Sequence, residues 1–229
     1  MNIVFFEENR SDFLPLVFTK PIAKLRIGIL TIEEKWVKSF ENEGAITTSF
    51  ITDDYLSAKF PKKIEEQNLF INSRFCPNAR IVDFIINNLN NNEAVFCNDV
   101  LIVAKCSLTV FDNKSFIIKD YNTNFVGITL SKVTDLFAKN NEAIDADFEL
   151  ITKGRISQKI SPTNTLIGNN IFVEEGAKIE ASILNSNEGP IYIGKDAEIM
   201  EGCIIRGPFA LCEHGVLKMG AKVYGAATI

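Results

Sequence analysis

From Ile167 to the end of the chain an aliphatic residue returns every six positions. The leading positions are Ile167, Val173 and Ile179, then Ile193, Ile199, Ile205, Leu211, Leu217, Val223 and Ile229. Four residues after most of them stands a small side chain, as at Ala177, Ala197, Cys203, Gly215, Ala221 and Ala227. Neither the two-residue period of a half-buried strand nor the 3.6-residue period of a helix produces this spacing. A triangular coil does: each hexad supplies one short strand and one corner, and three hexads close a turn. The pattern therefore predicts a left-handed parallel β-helix over residues 161–229. Each coil would bury its inner face only against its neighbours. One break interrupts the repeat between Ile179 and Ile193. That gap equals two hexads plus two residues and predicts a corner insertion at Asn185–Pro190. The last lead, Ile229, opens a hexad with no capping helix behind it, so the natural protein is expected to continue.

The first part of the chain has a different rhythm. Asn2–Phe6 is a short apolar run followed by the polar loop Glu7–Asp12. Phe50–Thr52, Leu69–Asn72 and Ala94–Cys97 also have strand composition. Between them, Leu30–Trp36 has apolar positions at helical spacing, within a stretch from Ile22 to Phe40 that is helical in its latter part. Ala79–Leu89 predicts a helix ended by the Asn run from Asn87 to Asn92, and Val133–Lys139 a further one. Residues 145–161 are expected to connect to the repeats. Strands alternating with helices predict an α/β, Rossmann-like domain over residues 1–160.

Composition narrows the partners. The net charge is −5 with no basic stripe, so nucleic acid is not expected. The N-terminus has no basic region followed by an apolar one, and no run of about 18 apolar residues occurs, so neither a signal peptide nor a membrane span is expected. Five cysteines without a C-x-x-C pair read as reduced thiols of a cytoplasmic protein. A single histidine, His214, excludes a His-rich zinc site.

Candidate chemistry collects after the first strand. In α/β sheets ligands bind outside the carboxyl ends of the strands. The loop there carries Arg10, with Lys20, Lys24 and Arg26 following. Such cations either hold a polyphosphate or are ordinary surface charges.

A strand, a loop with Arg10, then Pro15-Leu16 and Lys20-Pro21 resembles the sugar-1-phosphate nucleotidyltransferases, whose signature is a Gly-rich loop with G-T-R, then P-L-T and P-K. Joined to hexapeptide repeats, it resembles the bifunctional UDP-N-acetylglucosamine pyrophosphorylase/glucosamine-1-phosphate acetyltransferase family. The segment Leu14–Thr31 looks most like a divergent bacterial branch of it, as do Gly189–Gly194 and Ile205–Ala210. The resemblance implies transfer of a nucleotidyl group from a nucleoside triphosphate, UTP or dTTP, to a hexose or N-acetylhexosamine 1-phosphate. By the same resemblance Arg10, Lys20 and Lys24 would be catalytic, and Arg10, Pro15, Lys20 and Arg26 would bind nucleotide and sugar phosphate. Asp99, in Phe96–Val100, would match the strand-end aspartate that binds Mg²⁺. The β-helix would form a homotrimer, with acetyl-CoA as a further ligand of the full-length protein. This sequence departs from the signature in two places: Glu7-Glu8-Asn9 replaces the Gly-rich loop, and Asn98 replaces the glycine before Asp99. Two alternatives follow. One is an acyltransferase whose active coils lie beyond this chain, for which His214 is the sole candidate base. The other is a nucleotide-sugar-binding module without turnover.

Overall fold

The computed structural model describes residues 1–119, 121 and 127–229. The chain divides into two compact units, Met1–Leu25 with Thr31–Thr134, and Arg26–Leu30 with Asp135–Ile229.

The first unit is built on a six-stranded sheet. Its strands lie in the order Thr47–Ile51, Asn2–Phe6, Asn68–Asn72, Val100–Cys106, Glu93–Cys97 and Ile117–Ile118. Five run in one direction and Val100–Cys106 runs against them. All five residues of Asn2–Phe6 are buried, as expected of a central strand covered on both faces. The register sets Phe6 beside Ile51 and Asn72, so the carboxyl ends of three parallel strands share one row.

The sheet is Rossmann-like in its parallel part, as the alternating pattern predicts, but the reversed strand is not visible in that pattern. It follows Glu93–Cys97 through a two-residue turn in which Asn98 and Asp99 have φ of 47° and 63°. Two consecutive positive φ values define the type I′ hairpin turn, which matches the twist of the flanking strands. Asn-Asp makes this turn here without the glycine that usually signals it.

Helix Ile32–Ser39 starts later than a single helix from Ile22 would. Its boundary is a capping box: Glu34 N–H donates to Thr31 Oγ1 at 3.2 Å, and Thr31 N–H donates to the Glu34 carboxylate at 2.7 Å. Trp36 is fully buried on its inner face and donates Nε1–H to the Phe75 carbonyl at 2.8 Å. Helix Ala79–Asn87 is capped by the Asn78 side chain, and Asp135–Ala138 forms a short helix within the segment read as helical.

The second unit contains the β-helix. Its three faces are stacks of parallel strands. One holds Ile171–Val173, Ile191–Ile193, Phe209–Leu211 and Ala227–Thr228. Another holds Lys178–Ile179, Glu198–Ile199 and Val216–Leu217. The last holds Thr165–Ile167, Ile183–Asn185, Ile204–Arg206 and Lys222–Val223. The interior is a ladder of Val173, Ile179, Ile193, Ile199, Ile205, Leu211 and Leu217.

The hexad reading slips in the first coil. Leu184 pairs with Leu166 on one side and Ile205 on the other, and it is fully buried. Ile167 instead pairs with Asn185, so it is an outward position and not a lead. The irregularity is therefore one residue too few before Leu184 and three extra after it, a net of two. Period counting registers only the net.

Residues 145–161, read as a connection, begin inside the helix Asn140–Thr152. Its Ile144, Phe148 and Ile151 pack with Ala210 and Tyr192, on the outward side of one β-helix face. The buried Asp147 carboxylate accepts N–H bonds from Ile29 at 2.8 Å and Leu30 at 3.0 Å, tying Arg26–Leu30 to the same unit. Gly28 is needed there: its φ is +72°, and a Cβ would meet the Ala143 backbone at 2.6 Å. The first coil's open edge is capped by side chains. Gln158 Nε2 donates to the Ala177 carbonyl and its Oε1 accepts from Gly176 N–H, both at 2.8 Å.

Among the described residues no helix is long and apolar enough to cross a membrane. All five cysteines are free thiols, and burial pushes that of Cys106 up to about 11.

The register correction is directly testable. Leu184→Ala is expected to cost about 2–5 kcal/mol in urea unfolding, as for a fully buried aliphatic. Ile183→Ala, at a position 36% exposed, is expected to cost under about 1 kcal/mol. Equal losses would restore the unslipped hexad register.

Candidate functional site

Strand Asn2–Phe6 hands over to the first loop at the carboxyl edge of the sheet, and Thr47–Ile51 does the same for residues 52–56. Arg10 joins the two loops. Its Nε pairs with Asp53 at 2.9 Å. Its Nη1 donates to the Glu7 carboxylate at 3.2 Å, the Lys20 carbonyl at 3.3 Å and Thr52 Oγ1 at 3.5 Å. Its Nη2 donates to the Val17 carbonyl and to the Tyr55 hydroxyl, the latter at 3.1 Å. A guanidinium has five N–H donors on three nitrogens, and here all three nitrogens are engaged by protein acceptors.

Glu7 is the counterpart of this fork. Its carboxylate faces inward, accepting from Ile22 N–H and from the Thr52 hydroxyl as well as from Arg10. The carboxylate that replaces the Gly-rich loop is thus an internal staple. Glu8 accepts from Asn72 Nδ2 at 3.0 Å, and the same amide donates to the Leu101 carbonyl at 2.9 Å. Asn72 therefore ties the first loop to the strand that follows the Asn98-Asp99 turn.

The remaining candidates separate. Lys24 pairs with the buried Glu33 carboxylate and lies 5.4 Å from the Phe50 ring centroid. Glu33 also accepts from Thr48 Oγ1 at 2.6 Å, so the Lys24 charge is neutralised locally. Arg26 belongs to the second unit, where its Nη1 donates to the Ile29 carbonyl. Pro15 is exposed in the first loop. Lys20 is half-buried, and among the described residues its ammonium has no hydrogen-bond or ionic partner. Lys20 is thus the candidate cation of this edge with its charge uncommitted.

Asp99 is exposed at the tip of the hairpin, on the same edge of the sheet. No cluster of three or more His, Cys, Asp or Glu that could hold a metal ion exists among the described residues. A Mg²⁺ ion commonly takes one or two carboxylates and fills its octahedron with water and phosphate oxygens. Asp99 meets that donor chemistry as a single ligand. His214, the candidate base of the β-helix, is exposed in a corner at φ 58°, with Nε2 at 3.7 Å from the adjacent Glu213.

Sequence reasoning missed Asp53, Tyr55 and Thr52 as parts of this site. They sit more than forty residues from Arg10, and no local motif marks them.

The sheet is Rossmann-like in its parallel part, and its carboxyl edge carries Arg10 and Lys20. A family model described as sugar nucleotidyl transferase matches residues 3–156, and the chain belongs to that family. A search of curated proteins finds no match.

The fork has a stability signature. Arg10→Ala leaves the Glu7 carboxylate without its counter-charge at a nearly buried site, and a loss of about 3–5 kcal/mol is expected in urea unfolding. Arg10→Lys should recover only part of it, because an ammonium cannot reproduce the fork. An unchanged midpoint for Arg10→Ala would show that the loops hold themselves.

Proposed function

We propose that the protein transfers a nucleotidyl group from a nucleoside triphosphate, UTP or dTTP, to a hexose or N-acetylhexosamine 1-phosphate, releasing pyrophosphate. The observation that carries this reading is the family match, which covers the sheet from Ile3 onward and its carboxyl edge. In the reaction, a phosphate oxygen of the sugar attacks the α-phosphorus. A new P–O bond forms as the bond to the β-phosphate oxygen breaks. Such a transfer asks the protein mainly to align the two phosphates and to stabilise their charge.

Lys20 supplies that charge in this account, since its ammonium is uncommitted. Arg10 acts as a positioning residue: it fixes the backbone carbonyls of Val17 and Lys20 on either side of the segment that presents Lys20. Asp99 would hold Mg²⁺, which when bound offsets phosphate charge. A homotrimer formed through the β-helix and acetyl-CoA as a ligand of a longer chain belong to the same proposal and rest on the resemblance alone; a cytoplasmic location rests on the five cysteines without a C-x-x-C pair.

One observation favours a second reading, nucleotide-sugar binding without turnover. The first loop is closed by Glu7 and Arg10 and lacks the glycines that let a backbone approach phosphates.

Pyrophosphate release measured with Mg²⁺, a panel of nucleoside triphosphates and hexose 1-phosphates separates the two. Turnover is expected, with kcat/KM lowered about 100-fold or more in Lys20→Ala. A folded protein that binds a UDP-sugar and releases no pyrophosphate from any pair would select the second reading.

A further inference from the structure

Two aromatic rings at the carboxyl edge lie outside the core. Phe18 is 57% exposed and Tyr55 is 63% exposed. Buried aromatic rings stabilise a fold strongly, so rings held outside it forgo that contribution. Neither is on a slack loop. Tyr55 accepts from Arg10 at 3.1 Å and donates to the Phe18 carbonyl at 3.0 Å. The residue before Phe18 gives its carbonyl to the same guanidinium, and Phe18 N–H donates to the Pro15 carbonyl at 3.2 Å. The arrangement fixes where both residues are anchored while leaving both side chains largely exposed. Lys20, with its uncommitted ammonium, lies two residues beyond Phe18.

Exposed rings on a segment that also carries an uncommitted cation suit a ligand with a flat aromatic part and an anionic part. A nucleotide has both. Aromatic side chains bind bases through their faces, and the cation meets the phosphates. We infer that Phe18 and Tyr55 form a stacking platform for the base of the nucleotide, that Lys20 meets its phosphates, and that Arg10 holds the platform and the Lys20 backbone in one fixed relation. This inference rests on the nucleotide-binding reading above and adds which residues read the base. A platform of this kind recognises the flatness of a base more than its edge, so it contributes affinity with little discrimination among bases.

The test compares binding of UDP with binding of inorganic pyrophosphate by titration calorimetry, using the full chain. In Phe18→Ser, UDP affinity is expected to fall about tenfold or more, the size of one lost base–aromatic stack, with pyrophosphate affinity unchanged. Phe18→Tyr should bind UDP as the wild type does. Tyr55→Phe keeps the ring and loses the hydroxyl, so it should retain more UDP affinity than Tyr55→Ser. Equal effects of Tyr55→Phe and Tyr55→Ser would show that the hydroxyl alone matters and would overturn the role of its ring. Loss of UDP and pyrophosphate binding in parallel, or of neither, in Phe18→Ser overturns the platform. The two readings fail separately. UDP binding with the expected pattern but no pyrophosphate release sinks the transferase and leaves the platform. Turnover with an unchanged KM for the nucleoside triphosphate in Phe18→Ser sinks the platform and leaves the transferase.

Discussion

The guanidinium of Arg10 is the joint on which the candidate site depends. It reaches acceptors on both sides of the first loop and in the loop that follows the neighbouring strand: Glu7, Val17 and Lys20 on one, Thr52, Asp53 and Tyr55 on the other. Only a planar fork with donors in several directions can satisfy such a set, which is why lysine is a poor substitute. Two carboxylates in the fork supply the opposing charge. Breaking such a pair leaves a poorly solvated charge, so the joint holds more firmly than a surface ion pair would.

That joint resolves a difficulty in the sequence. Two glutamates where a Gly-rich loop is expected look hostile to phosphate. In the structure Glu7 is turned inward and spent on the fork, and Glu8 is held by Asn72. The loop is ordered by side chains instead of by glycine backbone. The cations of this edge differ in their surroundings: Arg10 joins the two loops, Lys24 balances Glu33, and the Lys20 ammonium has no partner among the described residues.

The architecture was legible in proportion to how local its causes are. Hexads report a coil because each strand's inward residue is set by its own position in the repeat. The slip at Leu184 was not legible, since a residue lost at one corner and three gained at the next leave only a net of two. The hairpin at Asn98-Asp99 was hidden because positive φ is achieved there without glycine. The part of helix Asn140–Thr152 from Asp145 onward has the pattern of a connection because its buried face carries a polar anchor, Asp147, whose partners Ile29 and Leu30 lie more than a hundred residues away. At the site, Arg10 and Lys20 stood out through position after a strand. The commitment of Arg10 to the fork did not, because it is decided by acceptors from residues 52–55 that no spacing rule connects to it.

The most direct test of the claim that this strand-end edge is the nucleotide site is amide hydrogen exchange with and without UTP and Mg²⁺. Slower exchange is expected, confined to residues 8–22 and 52–56 and the Asn98-Asp99 turn. Protection confined to the β-helix coils, with these loops unchanged, would contradict it.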